Sequence, residues 1–140
     1  MDHVAILSKK GDFLRKIISG EKTIESRWTI PKITPYENIS SGDTIYFKES
    51  GVPSITARAK AGKTLFFADL NHSKIESILI EFSAALGVDL SYLEKIKQKN
   101  YGTLVYLLNV EKIKPFEINK KGYGTGCAWI TVEDIKTIKL

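Results

Sequence analysis

Residues 20–28 read Gly-Glu-Lys-Thr-Ile-Glu-Ser-Arg-Trp and form the densest reactive cluster in the sequence. Lys22, Thr23, Glu25 and Arg27 put two cations, a hydroxyl and an acid within six residues. In an extended segment, Thr23, Glu25 and Arg27 share one face, and Lys22, Ile24, Ser26 and Trp28 the other. Glu25 and Arg27 can then pair. Such a set is suited to two kinds of chemistry. For hydrolysis it offers Glu25 to activate water, Thr23 as a hydroxyl, and Lys22 to meet an oxyanion, or to act as base once burial lowers its pKa. For recognition, Lys22 and Arg27 suit phosphate, Glu25 suits the amino group of a base, and Trp28 offers a stacking face. A third reading is structural: a buried ion pair that pins a helix to a sheet.

A second candidate is Lys120-Lys121-Gly122-Tyr123-Gly124-Thr125-Gly126. Three alternate glycines permit close backbone approach, while the lysines and Tyr123 add charge and a flat ring. It leads into a strand rather than a helix, so it is no dinucleotide fingerprint. The plain alternative is a hairpin loop. Lys48, at the end of a strand, can line the same site as these two segments. Cys127 reads as a buried strand cysteine, because no histidine is placed to activate it. One cysteine and two histidines, His3 and His72, give no familiar zinc spacing, so no metal and no cofactor are expected.

These residues must be positioned by short elements. Val4 to Leu7 is a strand. Asp12 caps a helix that buries Phe13, Leu14, Ile17 and Ile18 and stops at Gly20. Pro31 and Pro35 then forbid regular structure. Ser41-Gly42-Asp43 is a turn into the strand Thr44–Phe47. Ile55, Ala57 and Ala59 alternate with Thr56, Arg58 and Lys60, the pattern of a half-wet strand. Gly62 interrupts it as a bulge, and Thr64 to Phe67 continue it. Ser73 and Glu76 have capping-box spacing ahead of the stripe Ile75, Ile78, Leu79, Phe82 and Leu86, closed by Gly87. A second helix, from Asp89 or Ser91 to about Asn100, turns Leu90, Leu93 and Ile96 inward and Lys95, Lys97 and Lys99 outward. Thr103–Val110 is apolar enough for a central strand. Ile113–Ile118 pairs beside it, with Pro115 marking an edge or bend. Ala128–Val132 and Ile135–Ile138 are the last strands, and Trp129, Phe66 and Phe67 belong to the core. Five to seven strands with helices at two points make a small α+β barrel.

The chain has 140 residues, 43% hydrophobic and 26% charged, which suits one globular domain over 1–140 and excludes a collagen-like or coiled-coil rod. Its longest apolar run, Leu104–Leu108, is far short of the about 20 residues that span a membrane, and the start is too weakly apolar for a signal peptide. The expected compartment is the cytoplasm, with no membrane partner. Net charge is +5, and Lys95–Lys121 alone carries seven lysines against Glu111 and Glu117. A localised basic face attracts phosphates, although a merely solvated lysine surface has the same composition.

The pattern G-x-K-x-x-E-x-R, present as Gly20, Lys22, Glu25 and Arg27 and followed by Trp28, resembles the signature of the ASCH domain family, in the PUA-like group of small β-barrels. Ser41–Ile45, Tyr101–Val105 and Ala128–Ile130 are similar to that family's turn and closing strands. The resemblance implies a PUA-like barrel of five to seven strands with helices at its side. It also implies a cleft lined by the signature, with Lys22 at its mouth, and RNA or a nucleoside as partner. Some small members hydrolyse 4-acetylcytidine with a threonine, a lysine and a glutamate. Lys22 matches that lysine, but Glu25 stands where the threonine belongs, and Thr23 lies two residues earlier. Binding is therefore the favoured reading, and a hydrolase acting on a modified nucleoside or on RNA the alternative. A protein-interaction module would leave the basic face unexplained.

Overall fold

The computed structural model describes residues 1–124 and 126–140; Thr125 of the glycine-rich loop lies outside the described residues. Six strands form one curled sheet: β1 (Asp2–Leu7), β2 (Ile24–Thr29), β3 (Thr44–Glu49), β4 (Ser54–Phe67), β5 (Tyr101–Glu117) and β6 (Trp129–Val132). Their order is β2-β5-β4-β3-β1-β6, with β1 and β3 parallel and every other pair antiparallel. The helices α1 (Phe13–Ser19), α2 (His72–Leu86) and α3 (Leu93–Ile96) pack against it, giving an α+β half-barrel of the PUA-like kind.

Alternation along each strand decides which side chains fill the barrel. Ala5 and Leu7, Ile45 and Phe47, Ala57, Ala59 and Ala61, Val105 and Leu107 point inward, and Ile17 of α1 closes that core. The three alanines leave room for the sheet to curl. Register shifts in the β4–β5 pairing, one of them between Ala61 and Thr64 across Gly62, supply the bend. On the opposite face of β2 and β5, Ile24, Trp28 and Leu104 meet Ile75, Leu79 and Leu86 of α2 and Ile96 of α3. A third cluster, with Val4, Ile6, Tyr46, Ile55 and Ile130, covers the outer face of β1, β3 and β6.

Several expectations are corrected. Ile113–Ile118 is not a separate strand: β5 runs unbroken to Glu117. Opposite Ile55 and Ala57 stand Phe116 and Lys112, so Pro115 sits among the extra residues of a bulge, where its missing N–H costs no ladder bond. Ile135–Thr137 is a 3-10 turn capped by Asp134, which accepts from the Lys136 N–H, rather than a strand. α2 starts at His72 with Asn71 as its cap, Asn71 Oδ1 accepting from the Lys74 N–H at 2.9 Å; Ser73 already lies inside the helix. Asp12 does precede α1, but with φ 57° its side chain caps no helix N–H and its carboxylate pairs with Arg15. The second helix is shorter than expected, a 3-10 turn Leu90–Tyr92 followed by α3, and Leu90 faces solvent.

Candidate functional site

A sheet in the order β2-β5-β4-β3-β1-β6 has two edges, and curling brings β2 toward the β1–β6 side without a ladder between them. Arg27 spans that seam. Its Nη1 donates to Ala128 O at 3.1 Å and its Nη2 to Ile6 O at 3.1 Å, while its guanidinium lies 5.2 Å from the Trp129 ring. Period two places Glu25 on the same face as Arg27, and Arg27 Nη2 also donates to Glu25 Oε2 at 3.2 Å. Glu25 Oε1 accepts from the Ser26 N–H at 2.8 Å and lies 3.5 Å from Lys22 Nζ.

Lys22 is held by the chain turning out of α1. Its N–H donates to Lys16 O, and its Nζ donates to Leu86 O at 2.6 Å and Ile24 O at 2.8 Å. The ammonium therefore caps the last carbonyls of α2 and ties that helix to β2. Gly87 makes room for it: at φ +71° a Cβ there would stand 3.2 Å from Lys22 Cβ. Only 2% of Lys22 and 4% of Glu25 is exposed, so Lys22 lies on a floor and not at a mouth. Burial lowers the Lys22 pKa, with Glu25 pulling the other way. Burial pushes the Glu25 carboxyl up, but Lys22 and Arg27 outweigh it, and its pKa is held below the usual range. Lys22 Nζ has three oxygens around it, Leu86 O, Ile24 O and Glu25 Oε1, the surroundings of an ammonium in a Lys22⁺–Glu25⁻–Arg27⁺ cluster. Arg27 Nε is buried with no hydrogen-bond partner among the described residues.

The unclosed seam is a cleft of about 550 Å³, within the range of small-molecule sites. Lys22, Glu25, Arg27, Trp28 and Lys120 line it together. Lys95 and Lys99 of the α3 region join them, so five cations and one carboxylate line the cleft among the described residues. Trp28 itself is buried among the helices, its Nε1–H donating to Ser26 Oγ at 3.0 Å. Thr23 does not share the cleft: it precedes β2 and is exposed, its backbone bonded to Ala85 and Leu107. Lys48, Lys121 and Tyr123 also lie outside the lining. Lys48 is 6% exposed and donates to Glu49 O at 3.2 Å, its pKa lowered by burial and then by Lys120 nearby. Lys121 is exposed, and Tyr123 packs on the outer cluster of β1, β3 and β6.

The cleft also contains groups that the sequence pattern assigned to the core or left out. Tyr92 and Phe13 supply its aromatic wall, and Lys22 Nζ lies 5.1 Å from the Phe13 ring. Tyr92 stands off the Leu93–Ile96 core stripe, the only signal for it in the sequence. Burial raises its pKa, helped by Glu25. Cys127 is no strand cysteine: it lies half-buried before β6, lines the cleft, and its Sγ–H donates to Trp129 O. Among the described residues no group of three or more His, Cys, Asp or Glu is arranged to hold a metal ion, and no helix is long and apolar enough to cross a membrane.

No sequence-family profile and no curated relative matches the chain. Solved structures do. The ASCH protein of Zymomonas mobilis superposes with a TM-score of 0.70 at 15% identity, covering 97% of this chain and 90% of that one. A substituted form of the same protein superposes with a TM-score of 0.69 at 17% identity, covering 97% and 91%. The fold is thus the ASCH fold over almost the entire chain.

Proposed function

We propose that the protein binds RNA or a nucleotide in the seam cleft. The observation that carries this reading is the charge of the cleft, a buried floor of net positive sign with Lys95, Lys99 and Lys120 around it. Lysines at such a site attract phosphate through Coulomb attraction and counterion release. Phe13 and Tyr92 offer faces for a base, and the second lone pair of Glu25 Oε2 suits an exocyclic amino group. Trp28, packed among the helices and almost wholly buried, offers little free ring for stacking. Lys48, Lys121 and Tyr123, next to the cleft, act on the ligand only through the field they add or through the glycine-rich loop.

The test is salt-dependent binding of a single-stranded RNA. For single strands log K falls by about 0.7 per log unit of salt for each phosphate neutralised. Replacing both Lys120 and Lys121 by alanine is expected to shrink that slope. An unchanged slope would remove the loop from the site, and no binding at low salt would remove the reading.

Hydrolysis of a modified nucleoside such as 4-acetylcytidine, or of RNA, is the alternative. Lys22 and Glu25 at 3.5 Å resemble a cation–base pair. A carboxylate with its pKa held down by two cations is a weak general base, however, and Thr23 is outside the cleft. Little or no acetate release from 4-acetylcytidine is therefore expected. Robust turnover by the wild-type protein would replace the binding reading by the enzymatic one.

A further inference from the structure

The seam cleft does not end at its aromatic wall. A second depression of about 470 Å³ adjoins it, and the two share Phe13, Val88, Tyr92 and Lys95. These four form a saddle between them. Beyond it the wall holds Lys10, Lys16, Glu21 and Asp89. Both acids are already engaged. Glu21 accepts from Arg15 Nη1 at 2.8 Å, and Asp89 accepts from the Ser91 N–H at 2.9 Å. Lys16 is held by Gly87 O at 3.0 Å, with its Nζ 6.0 Å from the Phe13 ring. Lys95 Nζ lies 5.9 Å from the Tyr92 ring. Lys10 is exposed. Cations thus run from Lys120 and Lys99 across Lys95 to Lys16 and Lys10, with two aromatic rings midway.

We infer that the two depressions are one track for a single-stranded oligonucleotide, with one nucleotide in the seam cleft and the chain crossing the Phe13–Tyr92 saddle toward Lys10. This rests on the nucleic-acid reading of the cleft and extends it from RNA or a single nucleotide at the cleft to a polymer that also occupies the second depression. A lone nucleoside needs no second basic depression. A polyanion with flat side groups at regular spacing uses both the lysines and the rings, the combination by which single strands are held without sequence preference. An acidic peptide matches the lysines but leaves the rings unused.

The experiment compares cytidine monophosphate, a cytidine dinucleotide and a cytidine tetranucleotide on the wild-type chain and on Lys10→Ala, with thermal melting to confirm that the variant is folded. The tetranucleotide is expected to bind at least tenfold more tightly than the monophosphate. Lys10→Ala is expected to remove several-fold of that gain and lower the tetranucleotide's salt slope by about 0.7, with monophosphate binding unchanged. Equal affinity for all three lengths would end the track at the first cleft and leave the nucleotide reading intact. Length-dependent binding indifferent to Lys10→Ala would overturn the proposed path. Competition by tetraglutamate as effective as the tetranucleotide's would assign the track to acidic peptides. No binding of any cytidine ligand would overturn the track and the cleft reading together.

Discussion

Lys22 shows how a residue can be correctly singled out and its circumstances misjudged. A lysine at a cleft mouth contributes little packing, and its loss leaves stability almost untouched. The observed Lys22 donates to two buried carbonyls and sits beside Glu25. Hydrogen bonds from a charged donor contribute about 1.5–3 kcal/mol each. Lys22→Met, which keeps the stem, is therefore expected to destabilise by about 3 kcal/mol or more in a denaturant melt. Glu25→Ala leaves Lys22 and Arg27 without their shared anion, and removing one partner of a buried pair costs about 3–5 kcal/mol. Lys22→Met with an unaltered midpoint would mean that water replaces the ammonium at no cost. The Lys-x-x-Glu-x-Arg spacing and β alternation made the Glu25–Arg27 pair legible in the sequence. The burial of Lys22 was not, because it depends on Leu86, 64 positions away, presenting an unpaired carbonyl at the end of α2.

At the scale of elements, most of the fold could be read from local pattern. Alternation in Ile55–Ala61 and the 3–4 spacing in α2 each have one solution, and both formed as expected. The failures have physical causes. Ile135 and Ile138 are three apart, a helical spacing in a stretch too short to show its period. Pro115 looks like a strand terminator until a bulge excuses its missing N–H. One close approach was invisible. Gly102 in β5 lies under the indole of Trp28, and a Cβ there would stand 2.8 Å from Cζ3 and 2.9 Å from Cε3. Trp28 is held by Ser26 on one side and by the helices on the other. Gly102→Ala is expected to cost about 1–3 kcal/mol, as overpacking does. The displaced indole should also change the tryptophan emission. An unshifted spectrum at wild-type stability would show that the indole has room to move.

For the whole molecule, acid is the informative stress. His3 has no exposed surface, although the sequence singles it out only as a histidine with no familiar zinc spacing. Trp129 Nε1–H donates to its Nδ1 at 3.1 Å, so the neutral ring carries its proton on Nε2 and donates to Asp43 Oδ2 at 2.8 Å. Burial lowers the pKa of His3 below 6.5 despite Asp43, which raises it. The unfolded chain then binds the proton more readily. This contribution to stability is complete above about pH 6.5 and is lost as pH falls through the folded value. Glu25 has a depressed pKa as well, so its contribution is complete above about pH 4.3 and disappears below that. The melting temperature is expected to slope downward as pH falls below about 6.5, and to fall more steeply below about pH 4.3. His3→Gln should abolish the first slope and spare the second. A wild-type curve flat down to about pH 5 would contradict the buried neutral histidine.

Arg27 joins β2 to Ile6 and Ala128 with one side chain where a continuous ladder would close the barrel. Opening a ladder means breaking many bonds cooperatively; releasing one guanidinium breaks few. β6, four residues paired to β1 alone, should therefore be a weakly protected unit that parts from the rest without global unfolding. In native-state hydrogen exchange, the Ile6 amide, which donates to Ala128 O, should exchange together with β6 through this partial opening. The amides of β5, which has a partner on both sides, should wait for complete unfolding. Arg27→Lys should hasten the first group alone. The protein's first breach under native conditions then coincides with the cleft, so a ligand seated there acts as a bolt across it, and its binding should be visible as slower exchange along β6.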